Sequence, residues 1–243
     1  MLENGYYNMD CMDGMKEFPD NYFDIAVVDP PYFTGPEKRE FFGRKESQIG
    51  VKRVYQKMEE WKVPEPEYFK ELFRVSKNQI IWGCNYFDYH FPPGRIVWDK
   101  CNGSSDYSDC EIAACSFHDS VRLFRYMWNG MMQGKSMWEG DTQQGNKKLN
   151  EKRIHPTQKP LILYRWLYGQ YAERGWKLLD THVGSANSLI AAHEAGVQYV
   201  GFELDEHMYQ LSSERLKEYT AQTRIEDFWK YIAKGDTNEL RYF

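Results

Sequence analysis

Short apolar runs alternate with longer amphipathic stretches along most of this chain of 243 residues. Ile25-Ala26-Val27-Val28 is apolar at four successive positions. It is too short for a helix and too uniform for a half-exposed strand, so it reads as a strand buried on both faces within 24–29. Segments 78–82 and 95–98 read the same way, with a short helix between them. Tyr68, Phe69, Leu72 and Phe73 have helical spacing with prolines ahead of them, which predicts a helix over 64–77. At the start of the chain a short strand over 6–10 ends in a carboxylate and leads into a helical turn through Met15 and Phe18. Segments 111–117 and 121–128 read as a further strand pair. In the C-terminal third, helices over 161–172, 185–195 and 205–220 alternate with strands over 177–179 and 199–203. Strands alternating with helices predict an α/β fold, with one mainly parallel sheet covered by helices on both faces.

Two stretches break this pattern. Residues 33–62 are polar and charged and too long for a tight connection, and loops of that length are usually functional. Residues 129–153 are rich in Gly, Gln, Asn, Lys and Ser and read as an exposed loop. The formal net charge of −5 argues against a generally basic nucleic-acid binder, but its distribution alters that reading. Residues 34–62 hold eight basic against five acidic side chains, and 134–160 hold six against three, so the remainder carries 17 basic and 28 acidic. Each loop alone is as well explained by ordinary solvation; together, flanking one site, they favour a polyanion. There is no apolar run of membrane-spanning length and no basic-then-apolar pattern at Met1–Gly5, so neither a span nor a signal peptide is expected. Five cysteines without a C-x-x-C pair fit a reduced, cytoplasmic setting. Cys110, Cys115 and His118 match no common zinc spacing, and no metal is expected.

Candidate chemistry begins with Asp29-Pro30-Pro31-Tyr32, directly after the buried run. Open α/β sheets place their chemistry at the carboxyl ends of such strands. Two prolines fix φ and remove N–H donors, leaving a stiff turn that presents one carboxylate, one free carbonyl and one aromatic ring. Those groups suit a planar base bearing an exocyclic amine. A second constellation lies at 178–187, Leu-Leu-Asp-Thr-His-Val-Gly-Ser-Ala-Asn, which joins a strand to a helix through small residues. Glu203 ends the next strand, 23 residues after Asp180. This is a nucleoside-binding arrangement, in which the acid accepts the ribose hydroxyls. The loop lacks the glycine density of G-x-G-x-x-G, so S-adenosylmethionine suits it better than NAD. Between the two lies His155-Pro156-Thr157-Gln158-Lys159-Pro160, whose Thr157 and Lys159 suit a carboxylate, and whose Pro160 also suits a helix start.

Taken in order, Asp29 to Tyr32, His155 to Pro160, Asp180 to Asn187 and Gly201 to Glu203 resemble the site-specific DNA adenine-N6 methyltransferases of the circularly permuted beta class, most of all the short phage and mobile-element type. The resemblance spans about residues 6–220. It implies a Rossmann-like S-adenosyl-L-methionine-dependent methyltransferase fold with a seven-stranded-type sheet in permuted order. One domain would fill 1–243, with 33–62 as a basic loop insertion and 122–153 as a short target-recognition region. It also implies catalysis by Asp29, Pro30 and Tyr32. Cofactor contacts would come from Asp10, Asp29, Thr157, Lys159, Asp180, His182, Gly184, Ser185, Asn187, Glu203 and Leu204. Tyr32, Phe33, Lys38, Arg39, Arg44, Lys45, Lys52, Arg53, Lys147 and Lys148 would meet the substrate. The implied partner is double-stranded DNA, in a cytoplasmic, nucleoid-associated protein; a homodimer and a cognate restriction endonuclease are further options within the family.

Two departures stand out. His182 occupies an aromatic position of the family's cofactor loop, and Ala186 replaces its second glycine, where a Cβ would crowd the ligand if φ were positive. Cytosine-N4 methylation is the nearest alternative, since its enzymes more often carry Ser or Thr at the position of Asp29. Structured RNA, protein glutamine, and an inactive DNA- or cofactor-binding module are the others.

Overall fold

The computed structural model describes residues 1–32, 62–101, 108–129, 132–134 and 150–233. Phe33, Lys38, Arg39, Arg44, Lys45, Lys52, Arg53, Lys147 and Lys148 therefore lie outside the described residues. Among the described residues, ten strands and five α-helices follow in the order β1 (Gly5–Asn8), α1 (Cys11–Lys16), β2 (Ile25–Val28), α2 (Pro66–Val75), β3 (Gln79–Trp82), β4 (Arg95–Asp99), β5 (Cys110–Cys115), β6 (Val121–Arg125), β7 (Trp128–Asn129), β8 (Met132–Gln133), α3 (Leu161–Tyr171), β9 (Lys177–Asp180), α4 (Asn187–Ala195), β10 (Gln198–Glu203) and α5 (Glu206–Ala233). A 3₁₀ turn, Cys84–Tyr86, follows β3.

Eight strands form one sheet in the spatial order β1, β10, β9, β2, β3, β5, β4, β6. All its pairings are parallel except those of β5, which runs against both β3 and β4. Strand β2 is buried at every position, as its uniform apolar run predicts. Its side chains alternate between two cores. Ile25 and Val27 pack with Trp82, Leu178 and residues of α3 and α4, whereas Ala26 and Val28 pack with Leu179, Phe202 and residues of α1 and α2. Helix α2 starts with Pro66 at its first position and buries Tyr68, Phe69, Leu72 and Val75, a single face at helical spacing.

Three features depart from the expectations. The sheet has eight strands rather than seven, because β6 adds parallel to β4 at the edge. Segments 111–117 and 121–128 do not pair with each other; β4 lies between β5 and β6. At the start of the stretch read as loop, β7 and β8 pair antiparallel in a small second sheet. Of the 122–153 stretch, residues 122–125 thus belong to the main sheet. No helix among the described residues is long and apolar enough to cross a membrane.

The topology has one switch point. From β9 the chain passes through α4 to β10 on one side, and from β2 through α2 to β3 on the other. Strands β9 and β2 are neighbours, in register at Leu178 with Ile25 and Leu179 with Ala26. A crevice opens outside the carboxyl ends of such a pair. Asp180 and Asp29 stand at those two ends.

Candidate active site

A cavity of about 400 Å³ occupies the crevice. Its walls bring together pieces far apart in sequence: the β1–α1 junction at Asp10, the Asp29–Tyr32 tetrad, the His155–Lys159 segment, the 181–185 loop and the end of β10 at Glu203 and Leu204. This volume falls within the range of small-molecule sites. Six carboxylates line it (Asp10, Asp29, Glu65, Glu67, Glu203, Asp205) against two ammonium groups, Lys62 and Lys159. Such a lining favours a ligand with positive charge.

At one end, Glu203 closes the loop after β9. Its Oε2 accepts a hydrogen bond from the Gly184 N–H at 2.8 Å and its Oε1 accepts from the Asp205 N–H at 3.0 Å. Glu203 lines the cavity and each of its oxygens keeps a second lone pair, enough for a pair of hydroxyls. Burial pushes the Glu203 carboxyl above the ordinary range, against the pull of those N–H groups. Asp10 caps α1 by accepting from the Met12 N–H at 2.7 Å. Gly184 takes φ of +55°, a conformation that glycine adopts without a Cβ penalty.

Both cavity histidines are neutral. Burial pushes His155 and His182 down to about 4. The Tyr68 and Thr181 hydroxyls are 2.6 Å apart, and Thr181 Oγ1 is 2.9 Å from His182 Nδ1. With His182 neutral, that chain can run from Tyr68 through Thr181 to the ring nitrogen. His155 Nδ1 accepts from the Thr157 N–H at 3.3 Å.

At the other end, Asp29 sits in a buried charge cluster. The Lys159 ammonium is 2.5 Å from Asp29 Oδ2 and 2.9 Å from Glu111 Oε2, and it donates to the Tyr32 hydroxyl at 3.2 Å. Tyr32 donates in turn to Asp29 Oδ1 at 3.1 Å. The far oxygen of Glu111, Oε1, is 2.5 Å from the Lys100 ammonium. Burial pushes the Asp29 carboxyl up, Lys159 pulls it back, and the charge of Glu111 pushes it up further. Burial alone would also raise Glu111, but Lys159 and Lys100 together hold it at about 2. The Tyr32 ring stacks on Tyr86 with centroids 4.9 Å apart and planes 10° apart. It also fits against Gly83, where a Cβ would meet the ring at 2.3 Å.

Most of the residues singled out from the sequence converge here: Asp10, Asp29, Pro30, Tyr32, Thr157, Lys159, His182, Gly184, Ser185, Glu203 and Leu204 all line the cavity. Asp180 and Asn187 do not. Asp180 is 3% exposed and is engaged behind the loop, accepting from the His182 N–H at 3.0 Å and from the Ser188 hydroxyl. Asn187 is turned away too, donating to the Lys159 carbonyl at 2.7 Å and to Glu151. Lys159 has its three donors directed at Asp29, Glu111 and Tyr32, so its charge is not directed at a ligand carboxylate. Ala186 does have positive φ, +63°, but its side chain packs into the core and not into the cavity. The departure from glycine costs about 1 kcal/mol of backbone strain without crowding the site. Sequence reasoning missed Glu111, Lys100, Tyr68 and Tyr86. For Glu111 a signal existed, namely a carboxylate leading into the apolar run Ile112-Ala113-Ala114 of a strand.

Comparison with known proteins agrees with this geometry. A family model described as DNA methylase, N6/N4 type, matches residues 118–214, which hold the His155–Pro160 segment, the loop after β9 and Glu203. The Type II methyltransferase M2.MboI of Moraxella bovis is 25% identical over 248 residues, covering 88% of each chain. M.HinfI of Haemophilus influenzae is 22% identical over 245 residues, covering 86% of this chain and 67% of its own. Among solved structures, the M1.HpyAVI–SAM complex superposes with a TM-score of 0.52 at 16% identity, over 86% of this chain and 98% of that one. The PvuII DNA methyltransferase, described as cytosine-N4-specific, does so with a TM-score of 0.50 at 12% identity, over 91% and 93%. With its switch-point cavity and its tetrad, the chain shares a fold with solved DNA methyltransferases and is similar to the N6/N4 DNA methylases over residues 118–214.

Proposed function

We propose that this protein transfers the methyl group of S-adenosyl-L-methionine to N6 of adenine in double-stranded DNA. One observation carries the reading: the Asp29 tetrad and the Glu203–Gly184 pair open into the same cavity at the switch point between β9 and β2. The donor set fits the cofactor. Glu203 offers lone pairs for the ribose hydroxyls, the small residues Gly184 and Ser185 admit the ligand to the backbone, and the excess of carboxylates suits a sulfonium. Thr157, rather than Lys159, is the residue of the His155–Pro160 segment left to meet the methionine carboxylate. When bound, the cofactor supplies an electrophilic methyl group.

The adenine amine is a poor nucleophile, because its lone pair is delocalised into the ring. Asp29 and the Pro30 carbonyl accept its two N–H bonds and favour a tetrahedral nitrogen whose lone pair is free to attack in line. Asp29 then stabilises the positive charge gained by that nitrogen until a proton leaves. Positioning and electrostatics do most of the work. The base must leave the duplex to enter, at a cost of a few kcal/mol. Stacking on Tyr32 returns about 1–3 kcal/mol of this. The basic segment 33–62 and the stretch beyond β6 to residue 153 are proposed to meet DNA phosphates and base edges.

The test is nucleoside digestion and mass spectrometry of DNA from cells expressing the protein, beside an Asp29→Ala control. N6-methyladenine above the control is the expected result. N4-methylcytosine would move the assignment to the other branch of the family, and no modified base would remove it.

A further inference from the structure

We infer that Glu111 is a positioning residue that keeps Asp29 free for the target amine by giving the buried Lys159 ammonium a second counter-ion. This rests on the reading of Asp29 as the acceptor of that amine. Glu111 does not line the cavity and so does not touch the substrate. Its action runs through Lys159.

Lys159 is the problem that Glu111 solves. Its side chain is only 2% exposed and lies 2.5 Å from Asp29 Oδ2. An ammonium at that distance competes with the amine for the Asp29 carboxylate. It also neutralises the negative charge that Asp29 must offer to the developing cation. If Asp29 were its sole partner, Lys159 could not let go, because a buried charge stripped of its counter-ion costs several kcal/mol. Glu111 changes that balance. Its Oε2 is already 2.9 Å from the same nitrogen, so a movement of a few tenths of an ångström transfers the ion pair without leaving a charge bare.

The cluster is built for such a handover. Lys100, 2.5 Å from Glu111 Oε1, holds that carboxylate in one orientation with its other oxygen toward Lys159. Trp98 opposes Glu111 across the β4–β5 ladder, and the Lys100 ammonium lies 5.2 Å from the Trp98 ring. The Trp82 ring, 5.4 Å from the Lys159 ammonium, supports it on a second side. Two ammonium groups and two carboxylates balance, so the cluster carries no net charge before the amine arrives. When a third positive centre forms on the amine, Asp29 serves it and Glu111 serves Lys159. With Glu111 neutral, two cations would compete for one carboxylate.

Other charged or titratable groups also act on Asp29. Tyr32 bonds it directly, Tyr68, Tyr164 and Asp180 sense its charge from farther away, and Lys100 stands behind Glu111. Among these, Glu111 is the one whose neutralisation concentrates Lys159 on Asp29 and removes a repelling charge, and both effects favour ionised Asp29. In Glu111→Gln the Asp29 carboxyl should therefore titrate lower.

The experiment compares the wild type with Glu111→Gln, and with Glu111→Asp as the conservative variant. Turnover on duplex DNA, cofactor KM and the ¹³C titration of the Asp29 carboxyl carbon are read in each. Expected are a kcat at least tenfold lower in Glu111→Gln, a cofactor KM changed less than threefold, an Asp29 titration moved to lower pH, and partial recovery of kcat in Glu111→Asp. Adding Glu111→Gln to a Lys159→Met background should lower kcat by less than twofold, since the competing cation has gone. An Asp29 titration unmoved or raised in Glu111→Gln overturns the inference, as does a full additional loss in the Lys159→Met background. If the wild type methylates no DNA, the proposed function has failed, and the Asp29 titration still decides this inference.

Discussion

Replacing Asp180 with asparagine should stabilise the protein at neutral and higher pH, by an amount that grows as the pH rises from 4 to 7. Burial pushes the Asp180 carboxyl from 3.8 up to about 7, against the hydrogen bonds from Ser188 and the His182 N–H, with Asp29 and Glu203 adding repulsion. Below pH 4 the group is protonated both folded and unfolded and costs nothing. As pH rises from 4 to 7, the unfolded chain releases the proton while the folded chain holds it, so stability falls. Above 7 the loss is complete. At ~1.4 kcal/mol per unit it amounts to about 4 kcal/mol. Asparagine keeps an acceptor for the His182 N–H, and its amide can donate to Ser188. Rearranging that second bond costs about 1 kcal/mol at every pH, which leaves a gain of about 3 kcal/mol at pH 8 and a loss of about 1 kcal/mol near pH 4. For a chain of this size that corresponds to a Tm higher by roughly 6–12 °C. Thermal unfolding of both proteins between pH 4.5 and 8.5 is the measurement, with calorimetric cofactor binding beside it. A Tm difference that is flat across pH, or an Asn variant less stable at pH 8, would refute the electrostatic account. Because Asp180 lies behind the loop and not on the cavity wall, affinity should stay within threefold; a tenfold loss would put it back among the ligand contacts.

Asp29→Ala should abolish methyl transfer while cofactor affinity changes only a few fold, since Lys159 retains Glu111 at 2.9 Å; substantial turnover would sink the role given to Asp29. Glu203→Ala should weaken cofactor binding by roughly ten- to a hundredfold, because acceptor bonds to a carboxylate are worth ~1.5–3 kcal/mol. Unchanged affinity by calorimetry would mean that the ribose sits elsewhere. Gly83→Ala adds a Cβ 2.3 Å from the Tyr32 ring at a φ of +69°, so it should displace that ring and lower kcat at least tenfold with cofactor affinity within threefold. Equal kcat in the variant would show that the position of Tyr32 is not critical.

What the sequence by itself determined is local or ordered along the chain. The run Ile25–Val28 is buried on both faces because four apolar positions leave no polar side for water. The prolines after it force a turn, and the order of tetrad, His155–Pro160 segment, loop and Glu203 is a property of the chain alone. Strand pairing is not. β4 comes between β5 and β6, antiparallel to the first and parallel to the second, and adjacency in sequence carries no information about that choice. The same holds for the charges. Thr157 and Lys159 look alike from the sequence, two polar groups on a stiff segment, yet folding buries the lysine against Asp29 and Glu111 and leaves the threonine on the cavity wall. Ala186 posed a question that only its backbone answers: φ is +63°, and the Cβ points into the core. Burial and Coulomb energy depend on distances in space, and for Lys100, Glu111, Lys159 and Asp29 those distances exist only once strands from both ends of the chain share one sheet.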